Sequence, residues 1–415
     1  MIQKLVVSLS IYRGLPRNIY FLALARIILG LGNFIIPFLV LLLTDKLGYS
    51  ATAAGTWAMG ITATYFLGGL IGGKLSDVWG HKSVMVTGEL LGAGVIIACG
   101  WVAQAPILVP VGLVIAYFFI GIAVPASNAL VADFSQPHNR DAIMSLSYLA
   151  YNFGSAVGPI IAGYLFWHHT QWIFFGNGGA VLCGIVIVAL FINVPSETSE
   201  CHINELERPV EGSVWRVLKA RPRLLVFTFL CGLLWYALNQ MTMMSPLYLS
   251  ALYDEQGPLI FGQLMTFACI AVVILTPLLM RLTRHQIETI SLAYAGGLFM
   301  LGYGVIVLWP TIPAHFIAWL FLSAGEVLLL TKEGIYLANH SPASHRGRIQ
   351  GVLVTLRSVL VMPSFMVIGF LIDRFGYHTT WLSIIAVALI AMFGFYVMSH
   401  QSRARSQRVD ERVSE

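Results

Sequence analysis

Acidic side chains inside long apolar runs are the residues of this sequence best suited to proton chemistry. Glu326 lies in the apolar run 324–328, and Glu333 follows seven residues later. Seven residues make two helical turns, so the two carboxylates would share one helix face, whereas Lys332 is rotated by about 100° from Glu333. A carboxylate that moves between wet and dry surroundings could load and release a proton. Glu326 is the main candidate for this role, and a hydrogen bond to a neighbouring helix is the alternative.

Other charged residues offer related chemistry. Glu89 and Asp133 are further candidates for proton coupling. Arg26, Lys332 and Arg357 also lie within apolar runs, where a charge is costly unless it is paired or hydrated. Each of these cations could bind an anionic ligand, and Arg26 could instead pair with Glu89. A structural ion pair or a side chain that reaches the membrane surface explains them equally well.

Neutral polar and aromatic residues could complete a ligand cavity. Asn33 and Gln240 are polar residues within apolar runs, and interhelical hydrogen bonding is an equally good explanation of both. Trp235 and Tyr236 precede a methionine-rich stretch at 241–244. Flexible methionines beside aromatic rings form adaptable apolar walls that suit chemically mixed ligands. Packing against lipid is the alternative for these apolar residues.

Membrane-spanning helices must position all of these side chains. Of the 415 residues, 58% are apolar and only 10% are charged, against roughly 25% charged residues in soluble domains. Apolar runs of about 20 residues can cross roughly 30 Å of hydrocarbon, and only helices satisfy the backbone there in such runs. We therefore expect an all-α membrane protein with twelve spans. The spans are predicted near 20–43, 51–73, 84–104, 108–132, 142–166, 172–193, 224–250, 258–280, 287–309, 314–338, 350–372 and 379–399.

A polar stretch divides the twelve spans into two equal sets. Residues 195–223 are rich in charge, and six spans lie on either side of them. We predict a six-helix bundle at 1–194, a cytoplasmic linker at 195–223, a second six-helix bundle at 224–400 and a cytoplasmic tail at 401–415. The tail is charged, and we expect it to be disordered from Arg403 onward. Two six-helix halves have the same topology, which implies a pseudo-twofold axis along the membrane normal.

Basic residues predict the orientation. If the N-terminus is cytoplasmic and twelve spans alternate, only Lys46 and Arg374 of the 24 Lys and Arg residues fall outside the cell. Three more lie within spans, and all the others fall on the cytoplasmic side. This bias places both termini in the cytoplasm. The net charge of +5 is explained by the same bias and indicates no nucleic-acid partner.

The loop between spans 2 and 3 carries a recognisable motif. Residues 73–82 read GKLSDVWGHK, which resembles the signature loop of the major facilitator superfamily, glycine-x-leu-x-asp-arg-x-gly-arg-lys. The matching positions that we assign to gating are Gly73, Asp77, Gly80 and Lys82. Val78 and His81 stand where the family usually has basic residues. The resemblance implies that the Asp77 carboxylate faces the positive end of helix 11 and helps to hold one conformation.

A second motif lies in span 5. Residues 154–163 read GSAVGPIIAG, which resembles the glycine-proline motif of drug:proton antiporters in the same superfamily. Gly154 and Gly158 would permit close helix packing, and Pro159 would bend the helix. The resemblance implies export. The arginine that many proton-coupled exporters of the family carry in helix 4 has no counterpart in 111–131.

The resemblance implies a secondary active transporter of the inner membrane, with two six-helix bundles that give alternating access to a central cavity. We expect proton-coupled export of small amphipathic compounds, no enzymatic activity, no cofactor or metal, and a monomer whose partners are its substrate, protons and the lipid bilayer. A dedicated carrier for one polar metabolite, such as a sugar, amino acid or siderophore, is the alternative. A non-transporting membrane receptor would explain neither the gate motif nor the two-part organisation.

Overall fold

The chain folds into helices throughout the part that the computed structural model describes, residues 14–135, 139–192, 222–340 and 346–414. We number the helices 1 to 12 in chain order. Their bounds are Arg17–Leu31 continued by Ile35–Leu41 and a π-helical turn Leu42–Lys46 (helix 1), Ala51–Trp79 (2), His81–Trp101 (3), Leu108–Asp133 (4), Arg140–Leu165 (5), Thr170–Phe191 (6), Pro222–Tyr253 (7), Gly257–Leu282 (8), Glu288–Leu308 (9), Ile312–His340 (10), Arg346–Val361 (11) and Ser364–Ser414 (the end of 11, then 12). The last stretch is divided at Gly376, where φ is 76°.

The helices occupy the predicted membrane spans. Among the described residues, eight helical stretches are long and apolar enough to cross a membrane. Two of these, 222–282 and 351–401, each contain two consecutive helices. Helices 2 and 5 are longer than a minimal span but carry more Gly, Ser, Thr and Tyr, which lowers their mean hydropathy. The prediction of an all-α membrane protein is confirmed.

The second half differs from the prediction at its C-terminal end. Helix 12 continues to Ser414, so the prediction of disorder from Arg403 onward is wrong. Helix-favouring Arg, Gln and Glu residues extend a helix that the membrane span has already nucleated. Residues 193–221, which contain most of the predicted linker, lie outside the described part of the chain. Helix 7 begins at Pro222, within the last residues of that linker.

Two compact units organise the chain. One comprises Met1–Glu197 with Ser245–Cys269, and the other comprises Thr198–Met244 with Ile270–Glu415. The stretch 245–269, which ends helix 7 and begins helix 8, therefore groups with the N-terminal half. The division into two six-helix bundles at the linker stays a prediction.

Within the first unit, helix 4 packs against helices 2 and 3, and helix 6 packs against helices 1 and 3. Buried aliphatic side chains from helices 1, 3, 4 and 6 form the core of this unit, among them Leu22, Val84, Leu130 and Val188. Within the second unit, helix 9 packs against helices 10 and 12. The buried Tyr303 of helix 9 stacks on Trp381 and donates its hydroxyl to the Ala237 carbonyl of helix 7 at 2.6 Å.

The glycine-proline motif of helix 5 lies against two other helices of the first unit. A Cβ atom on Gly158 would lie 2.7 Å from the Leu31 carbonyl oxygen of helix 1, and one on Gly154 would overlap the Ile27 carbonyl oxygen. On another side, the Pro159 carbonyl oxygen lies against Gly262 of helix 8. Small residues four apart thus let the backbones approach closely, as the sequence predicts. The gating role of these residues stays a prediction.

This close approach makes a testable packing prediction. Gly154→Ala should lower stability by about 1–3 kcal/mol, because the added methyl group meets backbone rather than a movable side chain. The measurement is the unfolding transition of the purified protein in detergent. Gly179→Ala in helix 6 is the matched control, because nothing lies within 4 Å of its Cβ position. Equal effects of the two substitutions would contradict the packing interpretation.

Helix 1 is broken between Leu31 and Ile35, a feature that the predicted continuous span 20–43 missed. Pro37 has no N–H to donate to the carbonyl of Asn33, so the helical hydrogen-bond ladder is interrupted there. Gly32 adds flexibility, and the Phe34 amide donates to the Gly32 carbonyl in a tight turn at 2.7 Å. Asn33 therefore lies in an irregular segment rather than in a helix.

Candidate functional site

Glu326 is a half-buried acid in the middle of helix 10. Gly325 faces helix 9, where its Cβ position lies 2.5 Å from the Phe299 ring, and Glu326 is rotated by about 100° from that contact. Within the described residues, no hydrogen bond or ion pair to the Glu326 carboxylate is formed. The alternative that Glu326 is tied to a neighbouring helix therefore has no support in the described part of the chain.

Glu333, two turns further along helix 10, has partners on both carboxylate oxygens. Its Oε1 atom accepts from the Arg357 guanidinium of helix 11 at 2.6 Å. Its Oε2 atom accepts from the Trp235 indole N–H of helix 7 at 2.9 Å. The guanidinium also lies over the Trp235 ring, 4.4 Å from its centroid. The structure thus brings together three residues that sequence reasoning assigned separately, and the Glu333 charge is compensated on both oxygens.

Lys332 is buried at 5% exposure and points to a different neighbour from Glu333, as its rotation predicts. Its ammonium donates to the Thr283 carbonyl just after helix 8, at 3.0 Å. A cation at this position stabilises the negative end of the helix 8 dipole. This contact favours a structural role for Lys332 over direct substrate binding.

Arg26 and Glu89 lie on helices 1 and 3 of the first unit. The Arg26 guanidinium donates to Ser127 Oγ at 3.2 Å and to Asn128 Oδ1 at 3.0 Å, both on helix 4. Glu89 is 8% exposed, and its Oε2 atom has no hydrogen-bond partner in the described part of the chain. Arg26 and Glu89 interact electrostatically, as suggested, but no ion pair within 4 Å joins them. Sequence reasoning missed Ser127 and Asn128, although a buried arginine demands acceptors on adjacent helices.

The neutral candidates have varied surroundings. Asn33 is half-buried in the break of helix 1. Gln240 is fully buried, and its amide donates to the Tyr236 carbonyl in its own helix at 2.8 Å. Tyr236 is half-buried beside it. The methionines at 241, 243 and 244 are buried at 5% exposure or less, so lipid-facing packing is wrong for them.

The 73–82 motif spans the junction between helices 2 and 3, and it is helical except at Gly80, so the predicted loop is wrong in extent. Gly80 has φ 83°, in the left-handed region that glycine adopts without strain, and it ends helix 2. Lys82 donates to the carbonyls of Ala189 and Ile192 at the end of helix 6, at 2.9 and 2.7 Å. Asp77 and Gly73 lie on the last turns of helix 2, with Asp77 exposed. The contact of Asp77 with helix 11 stays a prediction.

Asp133 contacts the 73–82 motif through His81. Its Oδ2 atom lies 2.6 Å from Nδ1 of His81, and both side chains are about one-third exposed. The pair joins the start of helix 3 to the end of helix 4. Asp133 is therefore placed at a helix end beside the gate motif, and His81 makes the contact from a position where the family usually has arginine.

A double-mutant cycle can measure the His81–Asp133 contact. We expect His81→Ala and Asp133→Ala to be coupled by up to about 1 kcal/mol, the range for partly exposed pairs. The measurement is the unfolding transition and the initial transport rate of both single variants and the double variant. His81→Arg should preserve the contact, because a guanidinium can also donate to the carboxylate. Additive effects of the two alanine substitutions would contradict a direct interaction.

Comparison with known proteins identifies the family. The model of the Major Facilitator Superfamily matches residues 22–362. "Uncharacterized MFS-type transporter YttB" of Bacillus subtilis is 23% identical over 390 residues, which cover 91% of this chain and 94% of that protein. "Multidrug resistance protein MdtH" of Aeromonas hydrophila is 25% identical over 342 residues, 80% and 82% of the two chains. For MdtH of Photorhabdus laumondii, the match is 26% over 206 residues, 49% of each protein.

Solved structures agree on the fold. The nucleoside transporter NupG superposes with a TM-score of 0.77 at 12% identity, over 92% of this chain and 99% of that chain. A D-xylose-proton symporter superposes with a TM-score of 0.71 at 14% identity, over 91% and 96%. Identities this low show the fold alone. With the family match over most of its length, the chain is a membrane transporter and not an enzyme, and it belongs to the major facilitator superfamily.

Proposed function

We propose that this transporter exports small amphipathic compounds by alternating access, and that protonation of Glu326 couples export to the proton gradient. The observation that carries the proposal is the contrast between the two acids of helix 10. Glu333 is neutralised by Arg357 and accepts a hydrogen bond from Trp235, whereas Glu326 has no hydrogen-bond or ion-pair partner among the described residues.

An unpaired acid within a membrane span is costly, and the cost is lowest when water or a cation can reach it or when it holds a proton. Such a group can favour one conformation when protonated and another when charged. A residue with this property is expected at a functional site rather than in a packed core. Glu89 is a second candidate: its Oε2 atom has no hydrogen-bond partner in the described part of the chain, and Arg26 is the cation that interacts with it.

Three observations support export of amphipathic compounds. The helix 5 motif makes the close contacts that its glycines permit. The methionine cluster 241–244 is buried near Trp235 and Tyr236 on helix 7, where flexible thioethers can adapt to different ligands. Two of the three relatives named above carry the name multidrug resistance protein. Gating by Asp77 and a cytoplasmic location of both termini belong to the same proposal.

A dedicated carrier for a polar, anionic metabolite is the second candidate. Arg26 is held by the neutral acceptors Ser127 and Asn128 and makes no ion pair within the described residues. Its positive charge could therefore be completed by a carboxylate or phosphate of the substrate. This candidate predicts that Arg26→Gln raises KM for an anionic substrate, whereas the export proposal predicts that cationic substrates depend on Glu326.

Transport in proteoliposomes tests the two candidates directly. The purified protein is reconstituted, a pH gradient is imposed, and a panel of amphipathic cations, neutral sugars, amino acids and organic anions is offered. We expect gradient-dependent movement of several unrelated amphipathic cations. Saturable movement of a single polar metabolite, with no response to the cations, would favour the dedicated carrier instead.

A further inference from the structure

An apolar groove lies between helices 7 and 12 on the second unit. It has a volume of about 460 Å³. Its lining residues come from the first turns of helix 7 and from the middle of helix 12: Pro222, Arg223, Val226, Leu230, Phe393, Gly394, Val397, Met398 and Gln401. The groove contains none of the residues considered above for coupling or substrate binding.

The groove has one apolar end and one polar end. Leu230 lies against Gly394, with Leu230 Cδ2 2.5 Å from the Gly394 Cβ position. Arg223 and Gln401 line the other end of the groove. Helices 7 and 12 therefore run antiparallel. Eight residues of helix 7 separate Pro222 from Leu230, so the groove is roughly 12 Å long. Leu230 and Gly394 lie at the apolar end, and the polar lining residues Arg223 and Gln401 lie at the other end.

The walls of the groove face the bilayer. Val226 and Phe393 are 52% and 65% exposed although both belong to membrane-spanning stretches, and exposed aliphatic and aromatic groups at that depth contact lipid chains. The groove lining around Val226 and Phe393 is apolar, so it suits an acyl chain rather than water.

A cation lies at the polar end of the groove. Arg223 is exposed there, and no Asp or Glu is among the lining residues. Basic charge at the end of an apolar groove between membrane helices suits the phosphate of an anionic lipid. The basic-residue bias places this end in the cytoplasmic leaflet.

We propose that the helix 7–12 groove binds one anionic phospholipid, with an acyl chain along Val226, Phe393 and Val397 and the phosphate at Arg223. A zwitterionic phospholipid fills the apolar part equally well and also carries a phosphate, but its cationic headgroup offsets the attraction to Arg223. The site therefore selects by headgroup charge. This inference does not depend on the proposed transport reaction, and its failure would leave the role of Glu326 unaffected.

Native mass spectrometry of the full-length protein released from detergent tests the proposal. The probes are dioleoyl phosphatidylglycerol and dioleoyl phosphatidylcholine, which differ only in the headgroup. We expect the wild type to retain the anionic lipid preferentially, and Arg223→Gln to reduce that preference about fivefold, the effect of one cation near the surface. Arg281→Gln, at an exposed position in the last turn of helix 8, is the matched control and should keep the preference.

A second substitution tests the apolar part. Val226→Phe fills the groove and should reduce retention of both lipids, whereas Val359→Phe, at an exposed position of helix 11, should not. Equal loss in the Arg223 and Arg281 variants would show general surface electrostatics and overturn the site. An unchanged preference in Arg223→Gln would also overturn the site. Unchanged retention in Val226→Phe would overturn it too, because it would show that no lipid chain occupies the groove.

Discussion

Glu326→Gln should abolish accumulation of substrate against its gradient in proteoliposomes while leaving substrate binding intact for neutral compounds. A carboxamide has nearly the volume of a carboxyl group but cannot lose a proton, so it mimics the protonated acid permanently. Since Glu326 has no partner among the described residues, the substitution breaks no hydrogen bond there. The variant should therefore fold normally and fail only in coupling.

Two measurements separate this effect from a general loss of function. Accumulation driven by an imposed pH gradient should be lost, whereas equilibrium binding of a neutral substrate should stay near the wild-type value. A cationic substrate should bind more weakly because the compensating charge is gone. Glu255→Gln, an exposed acid in the turn Asp254–Gln256, is the control. Wild-type pumping with wild-type pH dependence in Glu326→Gln would assign coupling to another acid, with Glu89 first.

Arg357→Met should be among the most destabilising single changes in the second unit. It leaves the Glu333 carboxylate, at 7% exposure, without its cation, and breaking a buried pair in this way costs about 3–5 kcal/mol. The Trp235 indole keeps one hydrogen bond to the carboxylate but loses the guanidinium above its ring. We expect a large fall in the unfolding transition of the purified protein and low yield from membranes.

The double variant Glu333→Gln with Arg357→Met should recover much of this loss. Removing both charges removes the uncompensated ion, and the glutamine oxygen can still accept from the Trp235 N–H. Arg374→Met, at an exposed position near the end of helix 11, should change stability by no more than about 0.5 kcal/mol. A double variant no more stable than Arg357→Met alone would indicate that Arg357 acts through packing rather than through its charge.

The fold was largely predictable because the bilayer imposes a simple rule on composition. Each apolar run long enough to cross hydrocarbon corresponds to a helix, and the turn at Gly376 lies between two predicted spans. Outside the hydrocarbon the rule gives no information. The helical continuation to Ser414 was therefore missed, since a charged segment is compatible with either a helix or a disordered tail. The break at 32–34 was missed because hydropathy ignores the missing N–H of Pro37.

The candidate site was predictable residue by residue but not as contacts. Trp235, Glu333 and Arg357 could be named as buried polar or amphipathic groups, yet their meeting depends on the rotation of helices 7, 10 and 11, which hydropathy does not specify. The same applies to Arg26, whose acceptors on helix 4 are short polar side chains unremarkable in the sequence. Motif spacing located the 73–82 loop, because its glycines and charges recur at set positions, but it did not predict the partner of His81.

The break in helix 1 has a consequence for biogenesis. The piece Arg17–Leu31 is about 22 Å long, too short to cross roughly 30 Å of hydrocarbon alone. Irregular backbone at that depth is tolerated only when protein or water covers it. The cover comes from Gly158 of helix 5 and Ala180 of helix 6, which lie against Leu31 and Gly32. At 5–20 residues per second, the ribosome reaches those helices roughly 6–30 s after helix 1. The nascent helix 1 must therefore wait in the translocon or be straight in lipid, and it acquires its break only when the later helices arrive.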